Sequence, residues 1–184
     1  MKTPKQKLTR DAWLDRALEA LAQHGEGVLT IDTLVRRLGV SRGSFYWHFK
    51  DRTDFLRQLV EYWFTAYTQI AAQRLENAGG TAQERLLMLM EQIVKRQLGR
   101  YDIAIRAWAA HDGSASRTVR KADRFRMEYV QSLFSEMGFA GDELALRTRA
   151  FVVYLSMESG ISQKMPKQSQ VSQLEQLHAF FCRP

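Results

Sequence analysis

The sequence predicts an all-α protein, and three observations carry that reading. Proline stands at positions 4, 166 and 184 only, so long stretches lack the residue that breaks a helix. Apolar residues recur at helical spacing along nearly the whole chain, and no segment shows the strict alternation of a half-buried strand.

The elements follow in order. A first helix runs from Arg10 to His24, with Trp13, Leu14, Ala17, Leu18 and Leu21 on one face and Gly25 as its stop. A second starts behind Thr30, a good N-cap, and carries Ile31, Leu34, Val35 and Leu38 at i, i+3, i+4, i+7 before Gly39 ends it. Ser41 can cap a third, short helix reaching Phe49. A fourth starts at Asp51 or Thr53 and continues to Ala78, where Asn77-Ala78-Gly79-Gly80 breaks it. Five more follow over Ala82–Leu98, Asp102–His111, Ser116–Met137, Gly141–Gln163 and Val171–Cys182, about nine in total. The breaks between them are Gly99, Asp112-Gly113-Ser114, Gly138 and Met165-Pro166-Lys167. Leu86, Leu87, Leu89, Met90, Ile93 and Val94 make the fifth helix apolar on most of its circumference, which predicts that other helices surround it. The chain divides into residues 1–50 and 51–184.

Bulk properties bound the function. With 45% hydrophobic and 26% charged residues, the 184-residue chain can both bury a core and stay in solution. No run is apolar enough to span a membrane, and the N-terminal segment lacks a secretory signal, so a cytoplasmic protein without a membrane partner is expected. Cys182 stands alone, which excludes an intrachain disulfide. No G-x-S-x-G, metal-ligand cluster or phosphate-binding glycine loop occurs, so no catalytic residue, metal or cofactor is expected and the chain does not read as an enzyme. The net charge is +7, and residues 1–60 hold 11 Lys/Arg against 7 Asp/Glu, so the excess is densest there. Such a surface suits nucleic acid.

Residues 30–49 have the grammar of a helix-turn-helix: an amphipathic helix, a tight Gly39-Val40 turn, and a second short helix whose N-terminal half would face base edges. That second helix holds five ring-bearing side chains in a row, Phe45, Tyr46, Trp47, His48 and Phe49. Successive helical residues are about 100° apart, so the five point all round the axis. Phe45 and Phe49, four apart, share the inward face with Val40 as a neighbour. Tyr46, Trp47 and His48 then project sideways or outward with Arg42 and Ser44, groups that can donate to phosphates or read bases. Gly43 lets a backbone approach closely, and Lys50 and Arg52 reach the flanking strand. On spacing and composition alone, two readings stay open: a duplex surface, or a protein interface rich in Tyr and Trp.

The stretch LTIDTLVRRLGVSRGSFYWHFKDRTDFLRQLVEYW, residues 29–63, closely resembles the DNA-binding signature of the tetracycline-repressor (TetR) family. Thr30, Leu38-Gly39-Val40-Ser41, Gly43-Ser44 and the run Phe45 to Phe49 carry the resemblance, with a basic residue and Leu56 after them. Val35 stands where the family commonly has Ala, and Arg52 where Lys is commoner. The resemblance implies a homodimeric regulator, usually a repressor, that binds palindromic operator DNA through its N-terminal helices and a small-molecule effector through the rest. It implies DNA contacts from Thr30, Arg42, Gly43, Ser44, Tyr46, Trp47, His48 and Arg52. Lys2, Lys5, Lys7 and Arg10 form a basic arm that either adds phosphate contacts or is a solvated tail.

The same resemblance makes the last two helices a dimer interface, through Ala150, Val153, Tyr154 and Met157 on one and Leu174, Leu177 and Phe181 on the other. Packing within the monomer would satisfy these faces equally. Trp63, Tyr67, Met88, Tyr101, Ile105, Trp108, Phe125, Met127 and Tyr129 are core residues or, as a group, candidates for lining an effector cavity, with Trp108 and Phe125 foremost. Asp102 and Arg106, four apart, read as a surface ion pair.

Overall fold

The computed structural model describes residues 8–160 and 167–183, and among these the regular elements are helical throughout. The helices are α1 (Arg10–His24), α2 (Ile31–Leu38), α3 (Arg42–His48), α4, α5 (Ala82–Lys95), α6 (Gly99–Ala109), α7 (Gly113–Glu136), α8 (Gly141–Met157) and α9 (Lys167–Cys182). Helix α4 has three parts: an α-helical start, Arg52–Phe64, one π-helical turn, Thr65–Gln69, and an α-helical end, Ile70–Ala78. None of the described helices is long and apolar enough to cross a membrane.

Side-chain caps set the starts. Thr9, Thr30, Ser41, Asp51, Thr81 and Asp112 each accept a hydrogen bond from an orphan N–H of the first turn. Gly39 ends α2 in the left-handed region, at φ 64°, and Val40 N–H donates back to the Val35 carbonyl at 3.0 Å. That sharp reversal aims α3 away from α2.

Several boundaries differ from the expected ones. Asp112 accepts from the Ser114 and Ala115 amides, so Gly113 and Ser114 open α7 instead of separating two helices. Gly99 starts α6, and its role is a close approach: a Cβ there would lie 2.3 Å from Ser159 Oγ. The helix expected to reach Gln163 is shorter: α8 ends at Met157 and a 3₁₀ turn, Glu158–Gly160, follows it, while 161–163 lie outside the described residues.

The buried apolar side chains form two clusters. The first joins α1, α2, α3 and the start of α4 to α6 and the first half of α7, so it crosses residue 50. Trp13, Phe45, Phe49 and Phe55 lie at its centre, each at most 1% exposed, with Trp13–Phe45 ring centroids 5.8 Å apart and Phe49–Phe55 5.0 Å apart. The second joins α5, the second half of α7, α8 and α9 around Phe134, Phe151 and Phe181. Helix α5 is surrounded as expected, with Leu86 and Met90 fully buried.

Candidate nucleic-acid interface and the cavity behind it

Helix α3 sorts its rings by direction. Phe45 and Phe49 are buried, while Tyr46 is 55% and Trp47 76% exposed. The i, i+4 pair Ser44 and His48 lies between, on the flank facing α1. Ser44 Oγ accepts from Trp13 Nε1 at 3.1 Å. His48 Nε2 lies 2.8 Å from the Leu8 carbonyl. A carbonyl only accepts, so that nitrogen carries a proton. Of the two directions the sequence left open, His48 takes the sideways one: its ring is half-buried and ties α3 to the entry of α1.

The cations around α3 are exposed. Arg42 Nε donates to Asp32 Oδ1 on α2 at 2.8 Å, and the two side chains also pair through Arg42 Nη2. Both are about two-thirds exposed, at 65% and 67%. Solvent screens such a pair strongly, so exchanging Asp32 for a phosphate costs little. Arg52 Nε donates to the Leu29 carbonyl at 2.8 Å, which holds the side chain beside the start of α2. Thr30 Oγ1 caps α2 by accepting from Thr33 N at 3.3 Å. Lys50 is exposed, and its N–H donates to Asp54 Oδ2 at 3.1 Å. Gly43 has room for a side chain, since a Cβ would meet only Ser41 Oγ, at an ordinary 3.6 Å. The fold itself therefore does not require glycine there. Of the basic arm, Arg10 donates to Gln58 at 2.6 Å, and Lys2, Lys5 and Lys7 lie outside the described residues.

A cavity of about 70 Å³ opens where the π turn of α4 meets α5, α6, α7 and α8. Of the sequence candidates, Trp63, Tyr67, Phe125 and Tyr129 line it. Ile105 and Trp108 do not; they are buried in the first core, 0% and 6% exposed. Met88, Tyr101 and Met127 are also absent from the wall. Met127 packs on the second core, and Tyr101 turns its hydroxyl to Glu19 at 2.9 Å.

The wall also holds a polar group that sequence reasoning missed. Arg126 Nη2 donates to Asp102 Oδ1 at 3.0 Å, and Nη1 donates to the other carboxylate oxygen. Thr68 Oγ1, on the π turn, accepts from Arg126 Nη2 at 2.9 Å. The guanidinium also lies 5.2 Å from the Trp63 ring centroid. Asp102 does not pair with Arg106 as expected, because Arg106 is taken by Asp123 on α7. The missed signal was periodicity: Asp102 falls in the stripe Leu98, Tyr101, Ile105, and Arg126 in the stripe Val119, Ala122, Val130, Leu133. A charge on a buried face needs a partner on the facing helix.

Two latches join this region to α1. Tyr67 Oη, on the π turn, donates to Asp15 at 2.7 Å. Burial and then this hydrogen bond push the Tyr67 phenol well above its ordinary value, so it remains a protonated donor. Arg100 donates to both oxygens of Glu19 at 2.8 and 2.6 Å. Burial raises the Glu19 carboxyl, but the Tyr101 and Gln23 hydrogen bonds and the Arg100 charge outweigh it and hold the group below its ordinary value.

The predicted dimer residues divide. Val153, Tyr154 and Met157 are 54%, 37% and 49% exposed, and Ala150 is exposed beside them. Leu174 and Phe181 are buried within the monomer, 8% and 4% exposed, and Leu177 is half-buried. Phe181 stacks edge-on against Phe151 at 5.1 Å. The monomer's own core therefore takes the face of α9 that was expected to meet a second copy.

Residues 14–59 match the family model described as bacterial regulatory proteins, tetR family. The HTH-type transcriptional regulator AcrR of Shigella flexneri is 30% identical over 86 residues, 47% of this chain and 39% of that protein. The tetracycline repressor protein class C of Escherichia coli is 44% identical over 55 residues, 30% of this chain and 25% of that protein. The matched stretches thus span well under half the length of these curated relatives. The crystal structure of a TetR family transcriptional regulator, PfmR from Thermus thermophilus, superposes with a TM-score of 0.71 at 15% identity, covering 93% of this chain and 97% of that one, a likeness of fold. The family match falls on the segment that builds α1 to the start of α4, and that segment belongs to the tetR family of bacterial regulatory proteins.

Proposed function

We propose that the protein is a sequence-specific DNA-binding transcriptional regulator, a homodimeric repressor that leaves its operator when a small molecule occupies the cavity. The observation that carries this reading is the sorted ring run of α3. Two buried phenylalanines seat a short helix behind a helix-turn-helix, and Tyr46, Trp47, Arg42, Gly43 and Lys50 are left at its exposed side. An exposed aromatic pair flanked by cations suits a sugar–phosphate groove. The family's named repressors support the direction of regulation.

Dimerisation fits the limited reach of a seven-residue helix. Two copies about 34–36 Å apart would read a palindrome. The exposed apolar residues of α8 favour α8 as the meeting face. Effector release fits the connectivity: α4 begins next to α3, and its π turn supplies Tyr67 and Thr68 to the cavity. A ligand that displaces Tyr67 from Asp15 frees α1, whose Trp13 holds Ser44 of α3.

The test is binding to DNA upstream of the protein's own gene, titrated against salt. Affinity should fall with a log–log slope near −0.9 per phosphate neutralised. Tyr46→Ala should weaken specific binding at least tenfold while leaving the unfolding midpoint unchanged. Wild-type affinity in that variant would show that α3 presents its rings to something other than DNA.

A further inference from the structure

The cavity wall carries charge in one place only. Of its lining residues, Asp102 and Arg126 are the two charged side chains, and they face each other from α6 and α7. Their side chains are 8% and 19% exposed. Arg126 is held further by Thr68 and the Trp63 ring, so the pair is fixed on three sides. The rest of the wall is dominated by apolar side chains such as Leu89, Ile93, Phe125 and Phe151.

An ionic ligand meets a specific obstacle here. A carboxylate drawn to Arg126 would displace Asp102 and leave that anion buried beside it. An organic cation drawn to Asp102 would strand Arg126 in the same way. Removing one partner from a buried pair is strongly unfavourable because the remaining charge has neither water nor counter-ion. An uncharged molecule leaves the pair intact and still finds carboxylate lone pairs free to accept from a hydroxyl.

Resting on the effector reading above, we propose that the cavity selects an uncharged, largely apolar ligand with a single ring and one hydrogen-bonding group, and that the Asp102–Arg126 pair is what rejects ionic ligands of the same shape. The small volume sets the size class, since drug-sized ligands take sites of about 300–1,000 Å³.

Benzyl alcohol, benzoate and benzylammonium form a matched neutral, anionic and cationic set. Calorimetric titration of each into the protein without DNA should show benzyl alcohol binding at least tenfold tighter than either ion. In Asp102→Asn, where Arg126 is left uncompensated, benzoate should become the preferred ligand. In Arg126→Gln, benzylammonium should. If either single variant fails to fold, the double variant Asp102→Asn/Arg126→Gln has no charge to strand, so its preference for the alcohol over the ions should narrow well below that of the wild type, and an unchanged preference there overturns the proposal. The proposal is overturned if the wild type prefers either ion or binds none of the three, or if folded single variants keep the wild-type order. The reading as a DNA-binding regulator is tested separately: operator binding with no probe binding sinks only the ligand inference, and the reverse sinks only the regulator.

Discussion

Gly43 is the residue at which the fold and the proposed partner make opposite demands. Its backbone is helical, and a Cβ would meet nothing closer than Ser41 Oγ at 3.6 Å. Glycine in a helix costs about 0.5–1 kcal/mol relative to alanine, so stability alone favours the larger residue. Gly43→Ala should therefore raise the unfolding free energy measured by urea titration by up to that amount and weaken operator binding, because the added methyl would occupy space that the proposed DNA contact needs. A variant that is both more stable and undiminished in DNA affinity would remove Gly43 from the interface. His48 shows the opposite case. Its bond to the Leu8 carbonyl gives it a structural task, so its replacement disturbs the seating of α3 as well as any contact the ring makes with DNA.

Helix α4 links two tasks in one element. Its start is anchored by Asp51 and Arg52, and its π turn presents Thr68 to Arg126 and Tyr67 to Asp15. A π turn is a local departure from the regular ladder, often found at functional sites. Tyr67→Phe keeps the ring in the wall and removes only the hydroxyl. It should cost about 1 kcal/mol of stability, the worth of one part-buried hydrogen bond. It should also reduce operator affinity about fivefold or more, the size of a typical coupling between sites, although Tyr67 lies on the cavity rather than on α3. Fluorescence anisotropy with labelled operator measures this, and unchanged affinity would mean that the Tyr67–Asp15 bond only stabilises the fold.

On the scale of the whole molecule, the two buried clusters leave apolar side chains of α8 and α9 uncovered among the described residues. Leu146, Val153, Tyr154 and Met157 of α8 and Phe180 of α9 are between 37% and 70% exposed. A second copy would bury this face through the same residues on each chain, as two-fold symmetry requires. Val153→Lys with Met157→Lys should convert a dimer into a folded monomer in sedimentation velocity and abolish binding to a palindromic site while sparing weak half-site binding. Sedimentation of that double variant as a dimer would place the interface elsewhere.

Helix positions, the Gly39 reversal and the sorting of Phe45 and Phe49 from Tyr46 and Trp47 were legible in the sequence because each depends on neighbours within a turn or two. A cap needs an oxygen three residues before an N–H, and a ring's direction follows from its angle around a short axis. What the sequence could not decide were choices between distant partners. His48 meets Leu8, Arg106 meets Asp123 rather than Asp102, and Phe181 enters its own monomer's core rather than a partner's. Which of nine central candidates faced empty space depended likewise on how five helices meet at the π turn. Local periodicity gives the direction in which a side chain leaves its helix; only tertiary packing decides what stands there to receive it.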